Sequence, residues 1–131
     1  MRSFQPETTI FNAAAAASTG LIMSVADFQK IVMKLGTASS ANFTLKFQGS
    51  ASDSAPDFSA AATVANHWTY LAFVDYISGT VTAGGTGITS AGTDVFVTAL
   101  INTSGLKWIT ATITARSAGT VTLTCVPFDN E

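Results

Sequence analysis

Alternation with a period of two governs this sequence. Ile109, Ala111 and Ile113 oppose Thr110, Thr112 and Thr114, and Val121, Leu123 and Cys125 oppose Thr120, Thr122 and Thr124. Successive side chains of a strand point to opposite faces, so each run presents one apolar face and one face of threonine. Threonine is β-branched, short and polar, which suits a strand surface carrying few charges. Phe43, Leu45 and Phe47 alternate with Thr44, Lys46 and Gln48, and Ile31, Met33 and Leu35 with Lys30, Val32 and Lys34. The runs from Trp68 to Val74 and from Val95 to Ile101 are apolar on both faces.

Turn-forming residues separate these runs at Gly36 to Asn42, Gly49 to Pro56, Ser78 to Thr93, Asn102 to Gly105 and Ser117 to Gly119. The last of these predicts a tight hairpin between two final strands. Short strands at this spacing predict an all-β fold, an antiparallel β-sandwich of jelly-roll type. Helix is an alternative only at Phe58 to Ala65, because Ala13 to Ala17 is short and closely followed by Gly20. Residues 1–20 are expected as an extended N-terminal arm and 21–131 as one sandwich domain, since no linker divides the remainder. By strand addition the arm would reach a neighbouring subunit, with Phe4, Ile10 and Phe11 at the interface.

Of 131 residues only 11% are charged while 47% are hydrophobic, against about 25% charged in an ordinary domain. Such a surface is built from Thr, Ser, Ala and Gly, or is partly hidden against partners. The net charge of -2, without a Lys/Arg cluster, argues against nucleic acid, whose phosphates need several cations on one face. No apolar run reaches the length of a membrane span. Residues 4–9 lack the basic cluster of a signal peptide, so synthesis in the cytoplasm is expected.

Chemistry is sparse. His67 opens a strand without an activated nucleophile beside it, and more His and Cys would be needed for zinc. Asp53, Asp57, Asp75 and Asp94 lie in or beside turns, which fits turn capping or a loop calcium site, without EF-hand spacing. Gly84-Gly85-Thr86-Gly87 lacks the lysine of a phosphate loop. Cys125 falls at an apolar position and reads as core. Trp68, Tyr70, Phe96, Trp108 and Phe128 are either sandwich core or a sugar-stacking platform. No catalytic residue, cofactor or metal site is expected.

Several stretches resemble small structural proteins of tailed bacteriophages. They are Asn42 to Ser50, Ser54 to Ala61, Asn66 to Tyr70 leading to Val74-Asp75, Gly105 to Trp108, and Ser117 to Leu123. The likeness runs from about Val25 onward, where strand periodicity begins. It implies a non-enzymatic virion component, foremost a head decoration or cement protein on the capsid surface. It further implies the major coat protein as partner and self-association, often as a homotrimer. A tail, baseplate or head-fibre role is the first alternative, and a carbohydrate-binding module the second.

Overall fold

A strand of the length found here cannot remain straight inside a chain this small. The computed structural model describes residues 2–130, with side chains described for 5–129. Among them are eleven strands and no helix. In chain order these are β1 (Arg2–Phe4), β2 (Thr8–Ala14), β3 (Ser18–Thr19), β4 (Met23–Ser24), β5 (Lys30–Ser50), β6 (Thr69–Tyr70), β7 (Phe73–Asp75), β8 (Val81–Thr82), β9 (Ile88–Ala91), β10 (Phe96–Asn102) and β11 (Trp108–Asn130). The 21 residues of β5 would extend about 70 Å, whereas a compact chain of this size is about 35–40 Å across. The β5–β11 ribbon, paired antiparallel from Trp108↔Ser50 to Phe128↔Lys30, therefore bends in the middle and serves two layers.

The bend is written into the backbone. Ser39, Ser40 and Gly119 adopt positive φ of 63°, 54° and 76°, and the register shifts between Ile113 and Ala115, Arg116 and Ala118, and Ala118 and Thr120. Bulges of this kind add twist and turn a strand out of its sheet. The guanidinium of Arg116 donates from Nε and Nη2 to the carbonyl of Gly119 at 3.0 and 2.8 Å. On the facing strand, Asp94 Oδ1 accepts from the Ala41 amide at 3.1 Å and from the Thr37 hydroxyl at 3.2 Å. Thr37 Oγ1 in turn accepts from the Val95 amide at 2.9 Å. The segment before β10 thus clamps the corner of β5.

The hairpin expected at Ser117 to Gly119 and the turn expected at Gly36 to Asn42 are corrected by this arrangement. They face one another, with Ala118 paired to Asn42 and Thr120 to Ala38, and form one corner of a continuous ribbon. Trp68 to Val74 is likewise two pieces: β6 pairs with the far half of β5 and β7 with β10. The chain crosses between layers at Leu71-Ala72, burying Leu71 and Phe73. Phe58 to Ala65 is a turn-rich segment without helix.

The first layer holds β1, β2, the end of β11, the start of β5, β10, β7 and β8, and the second holds β3, β4, the start of β11, the end of β5, β6 and β9. The all-β antiparallel sandwich expected from the alternation is present. Ile31, Met33, Leu35, Leu123 and Cys125 from the first layer share one core with Phe43, Leu45, Phe47, Ile109 and Ile113 from the second. Phe47 meets Phe73 edge to face across the layers, with ring centroids 5.3 Å apart, a geometry favoured by the ring quadrupoles.

Residues 2–24 run beside β11 along both layers. β1 pairs with its end, β2 with Val121 to Cys125, β3 with Thr112-Ile113 and β4 with Trp108-Ile109. No structural break marks the boundary expected between residues 20 and 21. Ile10 and Phe11, expected as anchors on a neighbour, are each 5% exposed and lie in this chain's own core. The sequence pattern hid this because an edge strand with one buried face looks like a free amphipathic arm. The Phe4 backbone pairs with Phe128, and its side chain lies outside the described residues.

Candidate binding surfaces

Two outward faces carry features beyond those the fold requires. On the first layer, the ladder registers place Val126, Val32, Leu100, Val74 and Val81 in one row across five strands. Val126, Val32, Leu100 and Val74 each follow a core residue on their strands, so they point outward, and Val81 pairs with Val74 at the exposed edge. Phe96 on β10 and Ile77 in the β7–β8 turn are 75% and 83% exposed, and Val81 is 70% exposed on β8. Phe96 borders an open groove of about 440 Å³ floored by Gly36, Thr122 and Thr124. The charge beside it is neutralised, since the Lys34 ammonium is paired with Glu7.

On the second layer, residues 51–68 lie as a strap across the outer face. Gln48 Nε2 donates to the Phe58 carbonyl at 3.0 Å, Ser50 Oγ to that of His67 at 2.6 Å, and Trp108 Nε1 to that of Ser52 at 3.0 Å. Trp68 Nε1 donates to Ala60 at 3.0 Å, and Asn66 braces the strap from within through the Asp57 amide and carbonyl. These bonds explain why Gln48 and Ser50, on the outward phase of β5, are buried; Thr110, outward on β11, is buried where its hydroxyl donates to the Leu21 carbonyl at 2.9 Å. Between the strap and Thr19, Thr112 and Thr114 runs a second groove of about 420 Å³, with Trp68 and Tyr70 on its wall and Gln48 at its floor. The two rings meet at 76° with centroids 5.0 Å apart, and the Lys46 ammonium stands 4.9 Å from the Tyr70 ring centre.

The remaining candidates separate. Asp53 pairs with Lys107 at 2.6 Å, Asp57 accepts from Ser59, Asp75 accepts from the Ile77 amide, and Asp94 holds the corner. The hydrogen bond from Lys107, then its charge, holds the Asp53 carboxyl below its ordinary value, and the Ser59 hydroxyl and amide do the same for Asp57. Among the described residues no three His, Cys, Asp or Glu side chains are grouped as a metal site. His67 has an exposed side chain. Cys125 is fully buried, and desolvation pushes its thiol up to about 11; a thiol so protonated is a poor nucleophile. The glycines at 84 and 87 are packing devices: a Cβ at Gly84 would stand 2.7 Å from the Leu71 amide, and one at Gly87 would strike the Leu45 carbonyl.

Of the five aromatics weighed from sequence, Phe128 is core, Phe96 is exposed, and Trp68, Tyr70 and Trp108 are half-buried. Sequence reasoning missed the outward valine row, whose signal was the two-faced apolarity of β7 and β10. It also missed Gln48, which looked like one more surface position.

No protein-family model and no curated protein matches the chain. Among solved structures, the SPBc2 prophage-derived protein YomS superposes with a TM-score of 0.72 at 14% identity, covering 98% of this chain and 96% of YomS. The PBSX exported protein XepA superposes with a TM-score of 0.70 at 15% identity, covering 98% of this chain and 38% of XepA. The chain thus has the fold of YomS over nearly the full length of both proteins, and that of a part of XepA.

Proposed function

We propose that this chain is a non-enzymatic structural protein of a bacteriophage particle. The observation that carries the reading is the fold shared end to end with a prophage-derived protein. The dispersal of His67, the four turn aspartates and the inert Cys125 over separate sites agrees with a role without catalysis.

Within the particle, the reading supported best is a decoration protein that self-associates, as a trimer, on the outer face of the major coat protein. The outward valine row, with Phe96 and Ile77 beside it, is an apolar surface of the kind that partners cover. Binding at junctions present only in the mature shell stabilises that shell by mass action, and repeated weak contacts add through multivalency. A tail or baseplate position uses the same surface. The deciding measurement is copy number per purified particle against the major coat protein, by quantitative mass spectrometry. Stoichiometry comparable to the coat protein is expected. A handful of copies moves the chain to the tail or portal region, and absence from particles overturns the virion reading.

A further inference from the structure

Gln48 is the one described residue whose buried side chain leaves a polar atom without a hydrogen-bond partner. It is 1% exposed, its amide nitrogen is committed to Phe58, and its Oε1 has no partner. A buried acceptor left unsatisfied costs about 1–3 kcal/mol, and a strand position between Thr110 and Tyr70 would be filled more stably by an apolar side chain. The Gln48 side chain lines the groove whose wall carries Trp68 and Tyr70. Two independent features, an aromatic wall and an unfilled acceptor, therefore converge on one place.

We propose that the groove between the strap and the threonine edge of the second layer binds an uncharged saccharide. Trp68 and Tyr70 offer ring faces and edges to the C–H face of a sugar, and Thr112, Thr114 and Gln48 hydrogen-bond its hydroxyls. The ligand class follows from the lining. No residue lining the groove is an acid or a base, so its lining itself holds no charge to neutralise a phosphate or carboxylate; the Lys46 ammonium outside it, 4.9 Å from the Tyr70 ring centre, is why the anionic control is needed. An extended peptide is disfavoured because strand addition needs a free sheet edge. This groove is floored by a sheet face whose backbone groups are already paired, as Thr110↔Gln48 and Gln48↔Tyr70 register. Hydroxyls and an amide aimed from a sheet face beside aromatic rings match a sugar, which is polar at its rim and apolar across its C–H face. The inference does not depend on where in a particle the chain sits.

The test is saturation-transfer NMR on the full chain with cellotetraose, maltotetraose, mannotetraose and chitotetraose. Tetragalacturonate serves as the anionic control. One neutral tetraose is expected to bind with a dissociation constant between about 10 µM and 1 mM. Thr114→Arg projects into the groove from an exposed side chain, so it keeps the fold, as checked by its unfolding midpoint, while weakening binding by about tenfold or more. Gln48→Leu removes the acceptor together with the Nε2 bond to Phe58, so its unfolding midpoint and the iodide quenching of Trp68 are read beside its affinity, which is expected to weaken for the same ligand. Absence of transfer to every neutral tetraose at about 10 mM, binding of tetragalacturonate alone, or wild-type affinity in either variant would overturn the proposal.

Discussion

Replacing Gly119 with alanine tests whether the folded ribbon is held by its corner. Gly119 has a φ of 76°, and a Cβ there would stand 2.5 Å from Ala41 Cα, 2.6 Å from the Ala38 carbonyl oxygen and 2.8 Å from Ala41 Cβ. None of these atoms yields easily. The Ala41 amide is held by Asp94, and its carbonyl accepts from Gly92 at 3.0 Å. The left-handed backbone costs a non-glycine residue about 1–2 kcal/mol, and inserting a methyl into a packed site costs about 1–3 more. The sum, about 2–5 kcal/mol, is a large part of a typical stability of about 5–15 kcal/mol. Gly79→Ala is the internal control, because its φ is 69° but nothing lies within 4 Å of the added atom. It carries the backbone cost alone, about 1–2 kcal/mol. Urea unfolding followed by tryptophan fluorescence measures both, and Gly119→Ala should be the less stable by at least about 1 kcal/mol with an unchanged m-value. Equal midpoints for the two variants would refute the argument that close packing at the corner, beyond backbone conformation, holds the ribbon folded.

Three further outcomes are expected. Asp94→Ala removes the acceptor for Ala41 and Thr37 and should lower stability by about 1–2 kcal/mol, with faster amide exchange at residues 37–41. Phe58→Ala empties a site that is 3% exposed beside Trp68. It should cost about 3 kcal/mol and increase iodide quenching of Trp68, whereas unchanged quenching would mean that the strap is not pinned there. Cys125 has a folded pKa raised from 9.0 to about 11, so between those values the unfolded chain loses a proton that the folded chain keeps. Stability is therefore fully present below pH 9 and falls towards pH 11, by about 2–3 kcal/mol relative to Cys125→Ala; parallel pH profiles for the two proteins would contradict this.

The alternation of threonine with apolar residues determined by itself that the chain is an all-β sandwich, and it selected most of the core, from Ile31 to Cys125. Period two is a local property, so side chains such as Phe43, Leu45 and Phe47 can be assigned to one face without knowledge of their partners. The low charge likewise announced a surface built largely from uncharged residues. What the residues alone left open was which strands are continuous and what covers each face. Ser39-Ser40 and Ser117-Ala118-Gly119 have the composition of chain-reversing turns, yet each occurs within a strand. Whether a positive-φ residue reverses a chain or bends a ribbon depends on what the facing strand does at the same height, here 76 or more residues away. The burial of Ile10 and Phe11 has the same origin. An edge strand and a free arm share one sequence pattern, and only pairing with β11 distinguishes them. The two candidate surfaces are also products of register: Val32, Val74, Val81, Leu100 and Val126 become a row only when five strands align. Gln48 becomes an orphaned acceptor only when a strap from residues 51–68 closes over it.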